Sequence, residues 1–218
     1  VAILVPEKYQ LVDRIAFFGM GLSMAALLLR FNPASTVVFC NMRRDTEEVV
    51  GSLAHSGKWR AVLSPSMDQP HLVAAIDKVC RGLGGLTRIW RFDRMATVCD
   101  PGSGRVTASF AGVAKHYGVS VAICPPRRGN RKGVVEKVNH TAAQRWWRTL
   151  ADDMTVEAAQ ASVDRFARVR GDTRIRATAD GRSSVAVVAK TEPLHPVPAQ
   201  AYPVIVSERR TASRQAMV

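Results

Sequence analysis

No CxxC pair occurs among the four cysteines, Cys40, Cys80, Cys99 and Cys124, and none has a histidine at ligand spacing. That pattern argues against structural zinc and against a disulfide framework, and it favours reduced thiols in a cytosolic setting. Long apolar runs are scarce as well. Ile15 to Leu29, IAFFGMGLSMAALLL, carries no charge, but its fifteen residues fall short of the roughly 20 a spanning helix needs. It has something of a signal-peptide core, yet Glu7 and Asp13 precede it and no small-x-small cleavage site follows. A buried helix or an aberrant segment is expected there, with a membrane anchor as the alternative. The chain opens on Val, which suggests a fragment or an unusual start. No internal repeat is evident.

Acidic charge is also thin: 18 Asp and Glu stand against 31 Lys and Arg, for a formal net charge of +13. Such an excess attracts nucleic acid or an anionic membrane surface. Arg165, Arg168, Arg170, Arg174, Arg176 and Arg182 crowd one segment against Asp172 and Asp180, which also fits a solvated basic face or a connector. A length of 218 residues allows one domain with a sizeable core plus an appendage.

Regular signals begin near Glu48. Val49–Leu53 and Trp59–Leu63 read as strands around the turn HSGK, where Gly57 can take a positive φ. From Gln69 to Leu83 the apolar residues Leu72, Val73, Ile76, Val79, Cys80 and Leu83 recur at helical spacing, with Pro70 in the first turn and Gly84-Gly85 at the end. A short strand is predicted over 88–93 and a helix over 107–117, capped by Thr107 and closed by Gly118. A strand follows over 119–124, stopped by Pro125-Pro126, then a helix over 133–150 and another over 156–169 capped by Thr155. Hairpin strands followed by alternating strands and helices imply an α/β fold, a mixed sheet with flanking helices. Past Gly171 the composition reads as a linker, and Tyr202–Val206 with Arg214–Val218 reads as two strands of a small unit.

Two carboxylates stand out in this basic chain. Asp93 ends the strand RIWRFD, where a side chain can project beyond the sheet into space left by loops. Glu136 lies in the first turn of the helix that opens after RRGNRKG, with Val135 and Val138 toward the core. Arg127, Arg128, Arg131, Lys132 and Lys137 flank that helix start, where the dipole and free N–H groups already favour phosphate. Hard oxygen ligands beside cationic side chains suit Mg2+ or Mn2+ acting on a nucleic-acid phosphate. Asp93 could instead pair with Arg91 or Arg94 at a turn, and Glu136 could balance Lys132 or Lys137 on a solvated face. His140, one turn on, reads as a surface or half-buried histidine. Trp146 and Trp147, beside Arg145 and Arg148, suggest base stacking, but helical spacing puts Trp146 on the core side.

LVAAIDKVCRGLGGLTRIWRFDRMATV and FAGVAKHYGVSVAICPPRRGNRKGVVEKV together resemble the catalytic core of IstA-type insertion-sequence transposases. These belong to the retroviral-integrase superfamily, with an RNase H-like fold. The resemblance runs from about Val49 to Leu150, and the tail from Pro193 resembles the start of the small β-barrel that follows such cores. It implies this division: an atypical segment over 1–47, an integrase-like core over 48–170, a basic linker over 171–200 and an incomplete barrel over 201–218. It further implies a DDE centre in which three carboxylates hold two Mg2+ or Mn2+ ions for cleavage and strand transfer. Asp93 matches the second acid and Glu136 the third, with 42 residues between them. The implied partners are DNA, both transposon ends and target, an AAA+ ATPase helper, and further subunits assembled on DNA. The implied setting is cytoplasmic, at the nucleoid, without a membrane.

The first acid of that pattern should fall between Leu22 and Thr46, where Asp45 is the only aspartate. Asp45 sits in the polar stretch RRDTEE, too close to the strand near Val49. The expectation is a degenerate or frameshifted copy that lacks the opening strand and the usual helix-turn-helix region, with catalysis impaired and DNA affinity retained, or a catalytically inactive DNA-binding remnant.

Overall fold

A computed structural model describes residues 36–42, 47–66, 68–124, 146, 150, 154–179 and 181–204. Strands β1 (Thr36–Met42), β2 (Glu47–Leu53) and β3 (Trp59–Ser64) form an antiparallel meander. Helix α1 (Gln69–Leu83) then leads to β4 (Ile89–Phe92), which pairs parallel to β1, and α2 (Ala108–Tyr117) leads to β5 (Ser120–Ile123), parallel to β4. The sheet order is β3-β2-β1-β4-β5. The opening strand, expected to be missing, is therefore present as β1 and occupies the centre of the sheet.

The local chemistry explains where the helices begin and end. Asp68 caps α1 by accepting from the His71 N–H at 3.0 Å, and Pro70 costs nothing in the first turn, where no intrahelical partner exists for its nitrogen. Gly84 closes α1 at φ 101°, a left-handed position that favours glycine. Thr107 and Thr155 act as the expected caps, accepting from Phe110 and Ala158 at 3.3 and 3.2 Å. The β2–β3 turn holds Gly57 at φ 70°, as the HSGK reading requires.

Each sheet face is covered. On one, Leu72, Val73, Ile76, Val79 and Leu83 of α1 pack with Phe110, Val113 and Tyr117 of α2 over Trp90 and Phe92. Each such side chain contributes roughly 1.5–3 kcal/mol when fully buried. On the other, Val50, Trp59, Ala61 and Leu63 meet Trp146 and Ala159, Val163 and Ala167. The last three come from α3 (Val156–Phe166) and the π-helical turn Ala167–Asp172 that continues it.

The connecting stretch beyond Gly171 lies against this core. A hairpin of β6 (Ile175–Thr178) and β7 (Gly181–Ser184) leads into the short helix α4 (Val185–Ala189). The chain then straps across α1 and α2. Leu86 and His195 exchange backbone hydrogen bonds of 2.7 and 2.8 Å, Arg81 donates to the Pro198 carbonyl, and the Tyr202 N–H reaches the Tyr117 hydroxyl at 3.2 Å. Within the described part of the expected barrel, residues 201–204 are in no strand, and the rest of it lies outside the described residues. No helix among the described residues is long and apolar enough to cross a membrane, and Ile15–Leu29 lies outside them.

Candidate functional site

Asp93 follows the last residue of β4, and its carbonyl accepts from the Met95 N–H at 2.8 Å as the chain turns out of the sheet. It is half-buried at the carboxyl end of the strand, as expected from the sequence. The loop beyond it is tightly tied. Arg94 donates to the carbonyls of Pro101 and Gly102 at 2.9 and 2.7 Å, and Asp100 accepts from the Ser103 N–H and hydroxyl at 2.6 and 2.7 Å. Those Ser103 donors hold the Asp100 carboxyl below the usual carboxylate range.

Register decides what stands beside Asp93. β1 pairs with β4 as Thr36–Ile89, Val37–Trp90 and Val38–Arg91, where the ladder ends; counted on two residues along each chain, Cys40 is the β1 residue level with Asp93. On the other side, β4 pairs Phe92 with Ile123, so the next step sets Cys124 beside Asp93, and the Cys124 N–H donates to the Phe92 carbonyl at 2.8 Å. Counted this way, Cys40, Asp93 and Cys124 form one row at the ends of three parallel strands. The β1 sequence, TVVFCNM, has no carboxylate at all.

The described residues do not make up the expected metal centre. No three His, Cys, Asp or Glu side chains among them converge to hold an ion. One carboxylate between two cysteine positions is not the hard oxygen set that paired Mg2+ or Mn2+ ions require. Glu136, Arg127, Arg128, Arg131, Lys132 and Lys137 lie outside the described residues, as do Asp45, His140 and Trp147. Trp146 is 1% exposed in the core, and its indole N–H donates to the Ser162 hydroxyl at 3.0 Å, so it serves packing. Cys80, Cys99 and Cys124 are buried and in no disulfide, and burial pushes the Cys80 thiol well above the ordinary range.

One acid went unremarked in the sequence. Glu48, fully buried on β2, pairs in register with Met42, at the same end of the sheet as Asp93. It alternates with Val49 and so shares its sheet face with Val50, away from α1. Its position in DTEEVV reads as the polar margin of a strand, which gives no sign of burial.

Structural comparison decides the fold. The catalytic core domain of bovine immunodeficiency virus integrase superposes with a TM-score of 0.54 at 16% identity, covering 73% of this chain and 96% of that one. The chain has the fold of an integrase catalytic core. A chain of the simian T-cell lymphotropic virus intasome, solved with PP2A regulatory subunit B56 gamma, matches this integrase-like core at a TM-score of 0.58 and 12% identity, covering 81% of this chain and 61% of that one. In sequence, the chain is 33% identical over 91 residues to a transposase assigned to insertion sequence element IS5376 of Geobacillus stearothermophilus. That match covers 40% of this chain and 23% of the relative, so the chain spans under a quarter of the relative's length. No protein-family model matches the chain.

Proposed function

We propose that this chain is the core of a transposase-type DNA recombination protein whose phosphodiester cleavage and strand transfer are impaired. The observation that carries this reading is the row at the strand ends. Asp93 stands at the carboxyl end of β4, and β1 beside it offers Cys40 where a carboxylate would be needed to complete a metal centre. Asp93 and Glu136 remain as the acids of the centre, and Arg127, Arg128, Arg131, Lys132 and Lys137 as DNA-phosphate contacts. The fold and the similarity to an insertion-sequence transposase support DNA as the substrate. The +13 charge supports affinity for its backbone. Transposon ends and target DNA, further subunits, an AAA+ helper and a nucleoid setting in the cytoplasm belong to the same proposal.

A second reading, a protein that binds DNA without cutting it, is favoured by the absence of any carboxylate from β1. A nicking assay on transposon-end duplex in Mg2+ or Mn2+ separates the two. Residual nicking that disappears in both Asp93→Asn and Glu136→Gln supports impaired recombination. DNA binding without metal-dependent nicking in the unaltered protein supports the second reading. Nicking untouched by either substitution rejects Asp93 and Glu136 as the acids.

A further inference from the structure

At the end of the sheet opposite Asp93, two arginines converge on the β2–β3 turn. Arg174 directly precedes β6 and Arg176 lies within it. Arg174 Nη2 and Arg176 Nη1 approach one point over Gly57, 3.0 and 3.3 Å from where a β-carbon would sit. The two guanidinium groups are therefore no more than about 6 Å apart at those atoms. Like charges at that distance repel, and partial burial makes the repulsion harder to screen.

The hairpin holds this arrangement against ordinary patterning. Along β6 the odd positions face water, so Ile175 is 52% exposed while Arg176 turns inward. A strand placed only for stability would do the reverse. The Arg176 guanidinium donates to the His55 carbonyl, which pins the hairpin to the turn. Arg174 Nε is buried and has no hydrogen-bond partner among the described residues. Burial lowers its pKa, and the neighbouring Arg176 lowers it further. The nearby carboxylates are committed elsewhere: Asp172 takes both Arg60 nitrogens at 3.0 and 2.8 Å, and Glu192 accepts from the Ser56 N–H and hydroxyl.

We infer that Arg174 and Arg176 form a binding site for a backbone phosphate of DNA, separate from the Asp93 end. A phosphate bridging the two forks would accept from their N–H groups and relieve the repulsion between the cations. Gly57 lets the two forks close on the turn, because a β-carbon there would crowd both of them. The seven-residue strand β2 separates the turn from the Asp93 end, a span of about 20 Å at about 3.3 Å per residue. That corresponds to about six base pairs of duplex at 3.4 Å each. The site would thus grip DNA well away from the candidate reaction centre. The inference rests on the proposed reading of DNA as substrate.

The test is DNA affinity against salt, measured by fluorescence anisotropy with a 30-base-pair duplex, for the unaltered chain, Arg174→Ala, Arg176→Ala, the double variant and Arg174→Lys. Loss of this one phosphate contact should lower the magnitude of the log–log salt slope of the double variant by about 1, with weaker binding to every sequence tried. Arg174→Lys should keep the slope, because the charge remains, and a melting transition within a few degrees of the unaltered chain confirms folding. Should Arg176→Ala unfold the hairpin, Arg174→Ala alone must still lower the slope by about 1. An unchanged slope in folded Arg174→Ala overturns this site and leaves the DNA reading standing. Failure of the unaltered chain to bind duplex overturns both. Inorganic phosphate serves as a second probe: stabilisation of the unaltered chain by phosphate without any DNA binding makes this a free-anion site and also overturns the inference.

Discussion

Tyr117 donates its phenolic hydrogen to Asp77 Oδ1 across the α1–α2 contact at 2.9 Å, and the same hydroxyl accepts the Tyr202 N–H. One oxygen therefore joins two helices and the C-terminal strap. Desolvation of the ring and the neighbouring Asp77 carboxylate push the Tyr117 pKa up to about 12 from an ordinary value near 10. The folded chain holds this proton more tightly than the unfolded chain does. The stability it contributes is therefore complete below pH 10 and lost as the pH climbs from 10 through 12. Denaturant midpoints measured between pH 8 and 12 should fall across that window. In Tyr117→Phe the unfolding free energy should be lower at pH 8 by about 1 kcal/mol, because Asp77 keeps its Arg81 hydrogen bonds and the Tyr202 N–H loses its acceptor, and the midpoint should fall less between pH 10 and 12.

Gly85 should tolerate no side chain, because a β-carbon there would lie 2.7 Å from the His195 carbonyl oxygen and 2.8 Å from Leu194. Both contacts belong to the strap, where Leu86 and His195 exchange hydrogen bonds. Gly85→Ala should therefore loosen the strap and leave the sheet standing, at a cost of about 1–3 kcal/mol. Limited proteolysis is the measure: cleavage between residues 190 and 204 should quicken in the variant while the 69–124 region stays protected.

Local signals were read well and non-local ones were not. The apolar spacing of α1 and its terminal Gly84 lie within one stretch of chain, so the helix was legible from 69 to 83. The strand leading to Asp93 is legible too, as a short apolar run. Strand β1 is missed because TVVFCNM lies between an Asn-Pro pair and a charged stretch. What makes it a strand is pairing with β2 on one side and with β4, some fifty residues away, on the other. The strap reads as linker because its four prolines, Pro193, Pro196, Pro198 and Pro203, lack an N–H, yet its carbonyls and apolar side chains still find partners on α1 and α2. The neighbour of Asp93 is a matter of register, and register between distant strands has no local signature.

Arg60 and Asp172 should behave as a coupled pair. Their two hydrogen bonds of 3.0 and 2.8 Å tie β3 to the π-helical turn, with side chains only 12% and 17% exposed. Removing one partner strands a largely buried charge, so Arg60→Ala and Asp172→Ala should each cost about 3 kcal/mol, the low end expected because neither group is fully enclosed. The double variant should cost clearly less than the sum. Urea unfolding of all four proteins is the check, and simple additivity would show that the pair is not coupled.

Cys40 is the position at which the proposed impairment can be reversed. Counting on from the Val38–Arg91 pair makes it the β1 residue level with Asp93, and β1 continues two residues beyond it to Met42, so the strand is formed where a replacement would act. If the missing acid is what limits cleavage, Cys40→Asp should raise Mg2+-dependent nicking of a transposon-end duplex by at least tenfold over the unaltered chain. Asp93→Asn in that background should abolish the gain, whereas Cys40→Asn, which adds a polar group without a charge, should produce none. A calorimetric titration with Mn2+ in the absence of DNA gives an independent readout: tighter binding in Cys40→Asp than in the unaltered chain, lost again with Asp93→Asn. Unchanged Mn2+ binding and unchanged nicking in a folded Cys40→Asp protein would mean that the strand-end row is not the reaction centre. The basic surface alone would then account for the chain's dealings with DNA.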